Sequence, residues 1–149
     1  MIISASRRTD IPAFYLEWFL NRLKDGHALV RNPINPRQGS RVSLAPEAVE
    51  CIVFWTKNPA PLLGALDRLT DYPFYVQFTL NPYDYGLEGE LPQAPASGPL
   101  AGRKHALPGK GGLLDTFRRL SDKIGPERVV WRYSPALFNA KYTEEFHLE

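Results

Sequence analysis

Four short apolar runs in this chain each stop at a cluster of polar side chains, and no other feature restricts its fold as strongly. Ile2-Ile3-Ser4-Ala5 leads into Ser6-Arg7-Arg8-Thr9-Asp10, and Cys51-Ile52-Val53-Phe54-Trp55 into Thr56-Lys57-Asn58. Phe74-Tyr75-Val76 leads into Gln77-Phe78-Thr79-Leu80-Asn81, and Val129-Val130-Trp131 into Arg132-Tyr133-Ser134. Buried strands ordinarily end in Gly, Pro or Asp turns rather than repeatedly in Arg, Lys, Asn and Gln. In a parallel α/β sheet or barrel all strand C-termini lie on one face, and ligands bind there. Three of the clusters are cationic through Arg7 and Arg8, Lys57 and Arg132, which points to an anionic ligand.

The segments between these runs read as helices. Thr9 or Asp10 is placed to cap a helix opening near Pro12, and Ile11, Tyr15, Trp18, Phe19 and Leu23 recur at helical spacing before Gly26. Pro46 opens a short helix, and Pro59 and Pro61 start another with Leu62, Leu63, Leu66 and Leu69 as its apolar stripe. Leu113, Leu114, Phe117, Leu120 and Ile124 mark a last full helix, stopped by Gly125-Pro126. His27–Val30, running into Arg31-Asn32, is a weaker strand candidate. Strands alternating with helices predict an α/β fold with about five mainly parallel strands and helices outside, arranged as a partial, open TIM-like β/α barrel.

Composition narrows the function classes. With 149 residues, 44% hydrophobic, the chain is large enough to bury a core and reads as one domain. A net charge of +2 does not by itself announce a nucleic-acid binder. The single cysteine, Cys51, excludes an internal disulfide, a zinc knuckle or a three-cysteine iron–sulfur site within these residues, and it reads as a small buried hydrophobe. His27, His105 and His147 have unrelated spacings, so no metal ligation is expected, and no Ser-His-Asp or Cys-His arrangement can be drawn. No signal-peptide pattern precedes Ile2 and no apolar run approaches ~20 residues, which predicts a soluble cytoplasmic protein without a membrane partner.

One stretch does not fit the alternation. Residues 81–112 carry five prolines, seven glycines and no hydrophobic period, which predicts a flexible insertion. Setting it aside leaves about 120 residues, enough for four βα units and a further strand at roughly 31 residues per unit. Thr143-Glu144-Glu145-Phe146 then reads as the start of another helix. That arithmetic suggests a domain cut from a longer chain, with Leu148 and Glu149 either native or a cloning remnant.

The candidate ligand-binding residues are Arg7, Arg8, Arg31, Asn32, Trp55, Lys57, Asn58, Gln77, Thr79, Arg132 and Tyr133. Each has a structural alternative. Arg7-Arg8 before Thr9-Asp10 reads as an anion clamp or as a local ion pair beside a helix cap. Trp55 and Lys57 fall on one strand face, as an aromatic platform beside a cation or a core indole with a snorkelling lysine. Gln77 and Thr79 also share a face and need partners in the protein or in a ligand. Arg132, after a run that reads as a buried strand, needs either a carboxylate or a substrate.

The chain resembles a bacterial family known as domain of unknown function 1848. The resemblance lies in Ile3-Ser4-Ala5-Ser6-Arg7-Arg8-Thr9-Asp10-Ile11-Pro12, Leu29-Val30-Arg31-Asn32-Pro33, Ile52 through Pro59, Gln77-Phe78-Thr79-Leu80 and Val130-Trp131-Arg132-Tyr133. Members look like relatives of radical S-adenosylmethionine enzymes. They are about twice as long, with a cysteine cluster near the C-terminus suited to an iron–sulfur cluster. This implies that the chain corresponds to the N-terminal half and carries no cofactor of its own. An iron–sulfur cluster and S-adenosylmethionine would belong to the full-length protein, with its C-terminal half as partner. The segment after Leu80 is longer than the family pattern, and Ser134 stands where an aspartate is expected. Three functions follow: an enzyme half whose strand-end face binds a small anionic molecule or nucleotide, and which is inactive alone; a nucleic-acid-binding or repair-type module using basic loops 31–41 with Trp55 and Tyr133 as stacking surfaces; or a scaffold without independent activity.

Overall fold

The computed structural model describes residues 1–5, 9–32, 34, 35, 37–83 and 110–148. Its strands are β1 (Ile2–Ala5), β2 (His27–Arg31), β3 (Gly39–Ser43), β4 (Cys51–Thr56), β5 (Phe74–Thr79) and β6 (Val129–Arg132). The helices are α1 (Leu16–Lys24), entered through a π-helical turn at Ile11–Tyr15, then α2 (Ala60–Leu63), α3 (Lys110–Ile124) and α4 (Glu144–Leu148). Four strands form one parallel sheet in the order β1-β4-β5-β6, while β2 and β3 form a separate antiparallel pair.

The α/β class and the parallel sheet agree with expectation; the strand count and the barrel do not follow so far. The sheet has four strands and is open, since β1 and β6 are its two edges among the described residues. His27–Arg31 is a strand, but it pairs backwards with Gly39–Ser43 instead of entering the parallel sheet. The cause lies in the connection. Asn32 Oδ1 accepts from the Ile34 and Asn35 amides at 2.9 and 3.3 Å, and its Nδ2 donates to Gln38 Oε1 at 3.2 Å. A short loop tied by one Asx side chain reverses the chain locally, whereas a parallel neighbour needs a crossover of a dozen or more residues.

The helices cover one face of the sheet. Successive strand residues point to opposite sides, so Ile52, Phe54, Phe74, Val76, Phe78 and Val129 share a face, and all belong to the main core with residues from α1, α2 and α3. Phe54 meets Phe19 of α1 edge-on at 5.7 Å, and Phe78 stacks on Phe117 of α3 at 5.8 Å. The other face carries Ile2, Cys51, Val53, Trp55, Tyr75, Gln77, Thr79, Val130 and Arg132; Ile2 is 66% exposed and Val130 44%. Trp131, expected within a buried strand, is 61% exposed because β6 is an edge.

Two helix expectations shift in detail. Trp18 is about half exposed, while Leu16 and Leu20 are buried beside Phe19 and Leu23. The π-helical turn at Ile11–Tyr15 takes an extra residue per turn and rotates the following helix relative to a uniform 3.6 period. The Leu62–Leu69 stripe is divided into α2 and a 3-10 turn at Leu66–Leu69, with Gly64 and Ala65 between them, yet Leu62, Leu63 and Leu69 are buried as expected. Gly26 and Gly125 adopt φ of +71° and +95° after α1 and α3, the left-handed geometry that ends a helix most easily at glycine. At the front of the 81–112 stretch, Asn81 and Tyr83 are buried and α3 already starts at Lys110. Residues 84–109, which hold the rest of that expected flexible insertion, lie outside the described residues.

Candidate functional site at the C-terminal ends of the strands

The C-terminal ends of β4, β5 and β6 come together through their register: Trp55 lies beside Gln77, and Thr79 beside Arg132. Because the strands are parallel, the loops after all of them open at the same end. Three polar groupings form there.

The first is built on Asp10, which precedes the π-helical turn. One carboxylate oxygen accepts from the Ala13 amide at 3.0 Å and caps that turn. The other accepts from Thr56 Oγ1 at 3.0 Å and from the Lys57 amide at 2.8 Å, across 46 and 47 residues of sequence. Burial pushes the Asp10 carboxyl above its ordinary value, against the pull of the Lys57 and Ala13 amides, the Thr56 hydroxyl and the Lys57 charge. Thr56 Oγ1 in turn accepts from the Asn58 amide at 2.9 Å, and Asn58 Oδ1 accepts from the Ala60 amide at 3.2 Å at the start of α2. Asp10 thus fastens the segment after β1 to the end of β4. Sequence alone placed it only as a helix cap; its isolation as the one acid in the strand-end clusters was the available signal.

The second grouping is less saturated. The Arg132 guanidinium carbon stands 5.0 Å from the Trp55 ring centroid, across β5, with Nη1 only 3.5 Å from Thr79 Oγ1. Among the described residues no carboxylate lies within ion-pair distance of Arg132. Trp55 Nε1 is buried with no hydrogen-bond partner. Half-buried Gln77 occupies the same face, and Thr79 is buried at 7% exposure. The cation on Trp55 is therefore Arg132 rather than Lys57, whose residue falls just past the last position of β4. Donors outnumber acceptors here, as suits an oxyanion.

A third cluster follows β6. Asn81 and Ser134 hold each other by Nδ2 to the Ser134 carbonyl at 2.9 Å and by the Ser134 amide to Oδ1 at 3.0 Å. The Tyr83 hydroxyl donates to the Pro135 carbonyl and accepts from the Leu137 amide, both at 2.8 Å. The Tyr133 hydroxyl hydrogen-bonds His147 Nδ1, and His147 Nε2 lies 2.8 Å from the Leu137 carbonyl. Burial, with Tyr83 nearby, pushes the Tyr133 hydroxyl up to about 12. An expected stacking surface is thus part of an aromatic cluster with Tyr83, Trp131 and His147. Asn81 belongs to the strand-end cluster read from the sequence, whereas His147 was not legible as a site neighbour, since it is joined to the site by a contact 10 residues away in sequence.

The remaining candidates are placed elsewhere or not described. Arg31 and Asn32 lie at the far end of the β2–β3 pair, outside the parallel sheet. Arg7 and Arg8 lie outside the described residues. Cys51 is half-buried, and among the described residues no group of three His, Cys, Asp or Glu side chains is arranged to hold a metal. These residues therefore do not fit an iron–sulfur cluster.

The model of the family described as "Domain of unknown function (DUF1848)" matches residues 2–149. The chain belongs to this family. No curated protein and no solved structure matches it. Within the family, then, the geometry of the strand ends is what speaks to function. No described helix is long and apolar enough to cross a membrane.

Proposed function

We propose that the strand-end face binds a small anionic ligand, a carboxylate or phosphate group of a substrate or nucleotide, and that this chain supplies the N-terminal part of a radical-SAM-like enzyme. One observation carries the anion: Arg132 lies on the Trp55 ring with a single long contact to Thr79 and no carboxylate among the described residues. A half-buried guanidinium left this way gains most from an oxyanion that takes its free N–H groups in pairs. The Trp55 N–H offers a further donor. The group lies at the carboxyl ends of the strands, which is also where α/β proteins place ligands.

The enzyme class rests on the resemblance alone. Iron–sulfur and S-adenosylmethionine chemistry would require ligands from residues outside these 149, so the described part binds and orients an anion without turning it over. Titrating the isotope-labelled chain with phosphate and with acetate, read at the Trp55 indole and Gln77 amide signals, tests the binding. Saturable shifts are expected with Kd on the order of 1 mM, weakened about tenfold or more in Arg132→Ala. Shifts that are absent, or equal in Arg132→Ala, would refute it.

A further inference from the structure

Between β6, α3 and α4 lies a cleft of about 350 Å³ that the anion site does not use. Its apolar walls are Leu80, Pro82, Leu114, Trp131 and Phe146. Leu114 and Trp131 remain 47% and 61% exposed, so a guest would cover apolar surface that water now wets. Asn81, Tyr133 and His147 complete the wall, and no Asp, Glu, Lys or Arg among the described residues lines it.

The polar pair has a defined direction. Facing the Leu137 carbonyl, His147 Nε2 must carry the hydrogen in the neutral ring, so Nδ1 accepts from the Tyr133 hydroxyl. The single Tyr133 proton is thereby engaged, which leaves its oxygen as an acceptor beside the Tyr83 hydroxyl. The Trp131 N–H is likewise engaged, by the Leu80 carbonyl at 2.9 Å. The cleft therefore offers aromatic faces and acceptors, with no Asp, Glu, Lys or Arg among the described residues. Pockets of this volume, mostly apolar with a few convergent polar groups, are the usual form of small-molecule sites.

We infer that this cleft is a second small-molecule site, selective for an uncharged aromatic ring that carries one hydrogen-bond donor, as in phenols and indoles. The ring stacks against Trp131 and Phe146, and its O–H or N–H donates to the Tyr133 oxygen. Charged ligands are disfavoured because no Asp, Glu, Lys or Arg among the described wall residues compensates their desolvation.

The test uses p-cresol, its donor-free analogue 4-methylanisole, and benzoate, observed at the Leu114 methyls and the Trp131 indole N–H. Binding of p-cresol is expected with Kd on the order of 1 mM, several-fold tighter than 4-methylanisole, and benzoate should leave these signals unmoved. Leu114→Gln, on an exposed helix position, should weaken p-cresol about tenfold, while Arg132→Ala should leave it unchanged. That separation keeps this inference independent of the anion site. Absence of shifts, equal binding of p-cresol and 4-methylanisole, or equal binding in Leu114→Gln would overturn it. A concentration-dependent dimer that Leu114→Gln dissolves would also overturn it, by showing the cleft to be a contact between two copies.

Discussion

The end of β4 and the neighbouring ends of β5 and β6 present similar polar residues, but those residues are used differently. At β4, Asp10, Thr56, the Lys57 amide and Asn58 form a closed hydrogen-bonded set that joins three segments. At β5 and β6, Arg132 has one long hydrogen bond and the ring face of Trp55, which reaches it from β4 and whose Nε1 lacks a partner. The contrast separates two roles of a polar strand end. A saturated set stabilises the backbone and has little left to offer a ligand. An unsaturated set adds less stability and retains its chemistry.

The largest effect should come from breaking the saturated end. Asp10→Ala removes a cap and the acceptor of the Thr56 hydroxyl and Lys57 amide, so a loss of ~2–4 kcal/mol is expected from urea unfolding. A loss below ~1 kcal/mol would erase the proposed contrast, since exposed caps give only that much.

A smaller effect concerns pH. Because burial raises the Asp10 carboxyl above its ordinary value, the folded state holds this proton where the unfolded state has released it. Stability from this group is therefore fully present at pH below the unfolded value and is lost as pH rises through the folded one. Asp10→Asn cannot titrate, so the stability difference, wild type minus variant, should be larger at pH 3.5 than at pH 7. A difference that grows with pH instead would mean that the three donors outweigh burial.

The smallest effect belongs to the unsaturated end. Gln77→Leu should change stability by no more than ~0.5 kcal/mol, because no described group depends on its amide, yet it should weaken acetate binding measurably by titration. A large destabilisation would place Gln77 in a structural network like that of Asp10.

The sequence revealed the parallel strands and their shared end because apolar runs and helical periods are local properties. It also identified Thr79 and Arg132 as residues in need of partners and Trp55 as an aromatic platform for a cation or a core indole. It did not reveal that they partner one another, since Arg132 reaches Trp55 across an intervening strand. Lys57 was the nearer cation in sequence, but β4 ends before it and its amide points at Asp10. The β2–β3 reversal was missed because Asn32 acts through a turn, not through a hydrophobic period. Likewise Trp18 was misplaced by one wide helical turn that no composition signal announced.

The edge position of β6 bears on how the molecule behaves in concentrated solution. An exposed strand edge bearing Val130 and Trp131 is a template for growth by strand addition, and natural edges resist this by being short and by carrying charge. β6 has four residues and ends in Arg132. The cation that answers to a ligand thus also acts as a gatekeeper, and Arg132→Ala should aggregate at lower concentration than the parent even where its folding stability is unchanged.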